Sequence, residues 1–170
     1  MVDINLFKKN LWVLPLIGGI LLLLSIFAPA SYWIVEPTFI HFWMWGLSVF
    51  GIGFTVTGIG IALQIEVLIS GLLFTAFILI CSILTIILAA KIKNGSRKID
   101  ELNKFWISCG LVVILSSIAW IIMIESVALD PPNWWGFYSL GFGVIGPFIS
   151  GVLIIAVIFV NRFLEKEKKK

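Results

Sequence analysis

From Val67 to Ala90 the chain carries no charged side chain. A run of this length and composition has no stable place in a small water-soluble fold. It matches the roughly 20 apolar residues that a helix needs to cross a hydrocarbon core about 30 Å thick. Three more apolar runs accompany it, over about 11–28, 105–124 and 140–160. Only 12 % of the 170 residues are charged and 61 % are hydrophobic, against roughly 25 % and 45–50 % in an average soluble domain. The expected class is an all-α membrane protein, a single integral domain with the lipid bilayer as its solvent.

Charge distribution orients the runs. All 12 Lys and Arg residues fall in three stretches, Lys8–Lys9, Lys91–Lys104 and Arg162–Lys170. The polar segments between them hold Glu36, Glu66, Glu125 and Asp130 and no basic residue. Short loops rich in Lys and Arg stay on the cytoplasmic side, so the three clusters are expected to share that face. Both termini are then cytoplasmic, in a multi-pass protein of the cell membrane. The basic tail is accounted for by this retention and by attraction to anionic headgroups, and no nucleic-acid partner is expected. The lead up to Ala30 resembles a signal peptide, with Ala28-Pro29-Ala30 as a cleavage-like site. Its apolar core exceeds the usual 7–15 residues, however, so retention as a first helix is expected.

The stretch Trp43–Glu66 admits two readings. By hydropathy it is a fifth spanning helix. By periodicity it is a pair of β-strands outside the bilayer, because Phe50, Ile52, Phe54 and Val56 alternate with small residues, and Ile59, Ile61, Leu63 and Ile65 resume the alternation in shifted phase. Period two puts bulky side chains on one face of a strand, and the slip at Thr57-Gly58 suits a turn or bulge. With four crossings all three basic clusters fall inside; with five, Lys8 and Lys9 fall outside. The expected architecture is a four-helix transmembrane bundle with a small extracellular β-segment, the alternative being five transmembrane helices. Outer loops then cover 29–66 and 125–139. The first of them begins with 29–42, an aromatic-rich loop with two prolines. Gly51 and Gly53 are expected to resist large side chains because they pack closely.

A faint repeat runs through both outer segments: Trp45-Gly46-Leu47-Ser48-Val49-Phe50-Gly51-Ile52-Gly53 against Trp135-Gly136-Phe137-Tyr138-Ser139-Leu140-Gly141-Phe142-Gly143. Duplication explains it, and so does a shared need for interfacial Trp and tight Gly packing.

Four spans, a long first outer loop and a shorter second one form a layout that resembles the claudin and peripheral-myelin-protein tetraspan superfamily. Trp33 after the first helix and Trp45-Gly46-Leu47 further along the loop carry the resemblance. Claudins have a tryptophan there, followed by a G-L-W-x-x-C…C motif in an ectodomain of β-strands. Here Ser48 stands in place of the second tryptophan and both loop cysteines are missing. The resemblance implies a structural role in association and carries over neither a paracellular pore nor a receptor function.

No nucleotide loop, zinc cluster, thiol pair or catalytic triad pattern is present, so neither a cofactor nor a metal nor an enzymatic activity is expected. Cys81 and Cys109 read as small packing residues. The spans carry no charged interior side chain, which counts against an ion or proton pathway. The expected function is lateral or cell-to-cell association with another copy or another membrane protein, or organisation of the envelope. Its candidate outer-face residues are Trp33, Trp45, Gly46, Leu47, Trp134 and Trp135. The alternative is a small membrane enzyme or transport-complex subunit acting on an apolar substrate, drawing on a polar cluster of Glu36, His41, Glu125 and Asp130.

Overall fold

The computed structural model describes residues 9–61, 64–127 and 133–167. It is mostly helical, with one small antiparallel sheet. Helix α1 runs Val13–Phe27, followed by strands β1 (Ser31–Val35), β2 (Thr38–Phe42), β3 (Leu47–Ile52) and β4 (Thr55–Ile61). Helix α2 runs Ile65–Lys93, and a 3-10 turn at Asp100–Leu102 leads into α3, Asn103–Val127. The short helix α4 (Trp134–Phe137), strand β5 (Ser139–Leu140) and helix α5 (Phe142–Glu167) complete the chain. Three helical stretches, Ile65–Lys93, Asp100–Val127 and Phe142–Glu167, are long and apolar enough to cross a membrane. Helix α1 has the same apolar character but only 15 residues. Its end is set locally: Ala28 turns extended ahead of Pro29, as a residue before proline prefers.

The four long helices pack in a ring, α1 on α2 and α5, and α3 on α2 and α5. Small and hydroxylated residues line the seams, including buried Ser25, Ser82, Thr85, Ser117 and Ser150. Ser82 donates its hydroxyl to the Gly19 carbonyl at 2.8 Å across the α1–α2 contact. Outward positions are large and apolar, among them Ile69, Leu73, Ile80, Leu115, Ile122 and Phe159. Water would penalise such a surface, whereas lipid tails solvate it, and small interfacial residues then let the helices approach closely. Pro147 lies inside α5, which continues through it to Glu167.

Both ends of the ring are identifiable. At one end, the Lys93 ammonium sits 5.0 Å from the centre of the Trp12 ring, and Asn161 donates to Asp100 Oδ1 at 2.6 Å. The start of α1, the α2–α3 connection and the end of α5 therefore meet there, together with the basic residues on them. The sheet lies at the other end.

Residues 43–66 do not form a fifth helix; β3, β4 and the first residues of α2 occupy them. Of the turn or bulge expected at Thr57-Gly58, the structure has the bulge. The chain reverses at Gly53-Phe54, with Gly53 at φ +61°, and the phase slip is a bulge. Phe50 pairs with Gly58 and Gly51 with Val56, which leaves Thr57 as the extra residue. Residues 29–42, expected as an aromatic loop, contain the β1–β2 hairpin. Strand order is β4-β3-β2-β1-β5, so Ser139–Leu140, from the second expected outer loop, add a short strand beside β1.

Candidate functional site

Paired residues in an antiparallel sheet share a face, so the register assigns every side chain. Tyr32, Ile34, Phe39, His41, Val49, Val56 and Ile59 stand on one face; Trp33, Ile40, Phe42, Phe50 and Ile52 stand on the other. Both faces are dominated by apolar residues. The second face is partly covered by α4, where Phe42 meets the edge of Trp134 at 5.3 Å between ring centres. Trp33 lies half-buried beside a small cavity of about 160 Å³ that it shares with Ile40, Phe137 and Tyr138.

Two of the four tryptophans in the expected outer-face set, Trp45 and Trp135, fasten their segments to helices. Trp45 donates its indole N–H to the Ile26 carbonyl at 3.1 Å, and Trp135 donates to the Ile121 carbonyl at 3.2 Å. Each copy of the W-G repeat thus ties an indole to a carbonyl near the end of the preceding long helix. Trp134 is only 5 % exposed and stacks on Tyr138 at 4.2 Å. Gly46 is buried at the β2–β3 turn with φ +94°, and its N–H donates to the Trp43 carbonyl. Leu47 is half-buried at the start of β3. Two fasteners escaped sequence reasoning: Trp43, which donates to the Phe27 carbonyl at 2.9 Å, and Trp120, which donates to the Met44 carbonyl at 3.2 Å. Trp120 sits inside an apolar run that masks any signal of such a role.

The exposed surface lies elsewhere. Phe50, Ile52, Phe54, Val56, Ile59 and Ile61 all have large exposed areas, and no charged residue occurs between Leu47 and Ile61. Strand β4 is an edge of the sheet, so one row of its backbone donors and acceptors has no strand partner among the described residues.

The polar cluster divides. Glu36 and His41 line one cavity of about 600 Å³, walled by Ile34, Phe39 and Phe54 and floored by Pro37, Thr38 and Gly53. The cavity lies between the β1–β2 and β3–β4 tips, which the Gly53 N–H fastens to the Pro37 carbonyl at 2.6 Å. His41 stands 5.3 Å from the Phe39 ring and 6.2 Å from the Trp43 ring, in an aromatic row along β2. Glu125 does not line this cavity; its carboxylate accepts the backbone N–H of Trp135 at 3.2 Å. Asp130 lies outside the described residues. Among the described residues, no group of three His, Cys, Asp or Glu side chains is placed to hold a metal ion. No protein-family description matches the chain, and no curated protein sequence matches it.

Proposed function

We propose that this chain is a four-span, claudin-like membrane protein whose outer sheet mediates association, with another copy or with another membrane protein, laterally or between cells, or as part of envelope organisation. The observation that carries the reading is the uncharged β3–β4 hairpin, apolar on both faces and open along the β4 edge. An exposed edge strand of this kind is a template for pairing, and soluble proteins normally blunt it with charge or proline. A contiguous apolar surface likewise marks an interaction site. The four-span topology rests on charge parity and on the meeting of Trp12, Lys93, Asp100 and Asn161 at one end of the helix ring. The claudin-like layout is supported by Trp33 and Trp45-Gly46-Leu47 together with a sheet that joins both outer segments.

Two experiments test this. Thr57, exposed on β4, is replaced by Cys in the full chain and labelled with a membrane-impermeant maleimide in intact cells. Labelling from outside is expected, and labelling only after the cytoplasm is opened refutes the topology. Bifunctional cross-linking in the native membrane is expected to capture the chain in complexes that Ile59→Lys reduces severalfold. A chain that remains uncross-linked to itself and to any other membrane protein refutes association.

A further inference from the structure

The cavity at the hairpin tips offers an unusual combination of groups. Its lining includes three aromatic side chains, Phe39, His41 and the exposed Phe54, and one carboxylate, that of Glu36. The Thr38 hydroxyl is turned away from a ligand as donor, because it donates to the Val35 carbonyl at 2.7 Å. The site therefore holds an anionic acceptor and aromatic faces, and its hydroxyl donor is already engaged. No Lys or Arg occurs between Lys9 and Lys91, so no permanently cationic side chain of the first outer segment competes for Glu36. Two further acids, Glu66 at the start of α2 and Glu125 near the end of α3, stand at the same end of the helices.

We propose that this cavity binds an organic cation, an alkylated ammonium group carried on an apolar body. Aromatic faces attract such a cation through their quadrupoles, and the Glu36 carboxylate supplies the opposite charge. Ile34 and the rings cover the apolar remainder, and a volume of about 600 Å³ lies in the range of small-molecule sites. A net cation fits better than a zwitterionic choline lipid. The lipid's phosphate would be drawn into a segment that has no Lys or Arg to receive it. The site shares Phe54 with the apolar surface of the β3–β4 hairpin and otherwise lies at the hairpin tips, away from the β4 edge.

The test uses the full chain in nanodiscs of neutral lipid, with radiolabelled dodecyltrimethylammonium as probe and empty discs as blank. One saturable site per chain is expected. Glu36→Gln is expected to weaken binding about tenfold and Phe54→Ala severalfold, as loss of the ion pair and of a cation–π wall requires. Glu66→Gln, a charge-matched change at the start of α2, is expected to leave binding within twofold. Both Glu36 and Phe54 are exposed, so their replacement leaves the core intact, which matching circular dichroism checks. Unlabelled dodecyl sulfate and dodecylphosphocholine are expected to compete at least tenfold less well. Binding unchanged by Glu36→Gln, or displaced equally by dodecyl sulfate, overturns the proposal and reduces the cavity to a non-selective apolar groove.

Discussion

The indole N–H of Trp120 donates to the carbonyl of Met44 at 3.2 Å, across 76 positions of sequence. Trp120 is fully buried in α3, and Met44 is buried in the turn between β2 and β3. The same carbonyl also lies against Gly71 of α2, close enough that a Cβ there would collide with it. One backbone oxygen is therefore held between two helices, and through it the sheet is seated on the ring.

Trp120→Phe keeps an aromatic side chain, removes the donor and leaves the space of the second ring empty. The Met44 carbonyl is then left buried without this partner, which costs about 1–3 kcal/mol. Lower thermal stability in detergent is expected, together with faster proteolysis of the β2–β3 turn at temperatures where the helices remain folded. Stability equal to the parent would show that the indole bond does not seat the sheet.

Gly71→Ala tests the other side of the same contact. The new methyl meets the Met44 oxygen, a backbone atom that cannot rotate away, so α2 or the turn has to move. Overpacking of this kind costs about 1–3 kcal/mol. Gly71→Ala combined with Trp120→Phe is expected to be less than additive, because both act on one carbonyl. Thermal unfolding of the two single variants and the double variant measures the coupling.

Gly51 and Gly53 separate into two mechanisms. A Cβ at Gly51 would run into the Phe39 ring and the Thr55 carbonyl, whereas a Cβ at Gly53 meets nothing within 4 Å. The expected close packing therefore holds at Gly51 and not at Gly53, where the constraint is φ +61°. Gly53→Ala is expected to destabilise by about 1–2 kcal/mol, and Gly53→Asn by less, since asparagine tolerates the left-handed region. Equal losses for Ala and Asn, read from thermal unfolding, would argue against the backbone account.

Asn161 is 2 % exposed and its hydrogen bond to Asp100 joins α5 to the α2–α3 connection. Asn161→Leu keeps the branched heavy-atom skeleton, with larger end groups, and removes the donor. Bonds to charged groups contribute about 1.5–3 kcal/mol, so a loss of that order is expected. Limited proteolysis at Arg97 and Lys98 should accelerate in parallel. An unchanged cleavage rate would mean that the connection is held by other contacts.

Local patterns in the sequence reached a good part of this architecture. Hydropathy located the apolar helices, though the structure extends α2 to Ile65–Lys93 and starts α5 at Phe142. Period two identified β3 and β4, because Gly51, Gly58 and Gly60 interrupt their bulky residues. The same test could not find β1. Tyr32, Trp33, Ile34 and Val35 are all large and apolar, since both faces of that strand carry such residues, and alternation vanishes.

What the sequence determined by itself was the solvent in which the chain folds, the grouping of its basic residues, and the strand character of 47–61. Each of these follows from neighbours along the chain: length of apolar run, charge sign and side-chain period. The tertiary structure alone decided which carbonyl each indole fastens, that Thr57 is a bulge while Gly53 makes the turn, and that Glu36 and His41 share a cavity without Glu125. Those outcomes depend on strand register and on contacts such as Trp120 with Met44, between residues far apart in sequence. A hydrogen-bond donor inside an apolar run names no acceptor until the fold brings one within 3.2 Å.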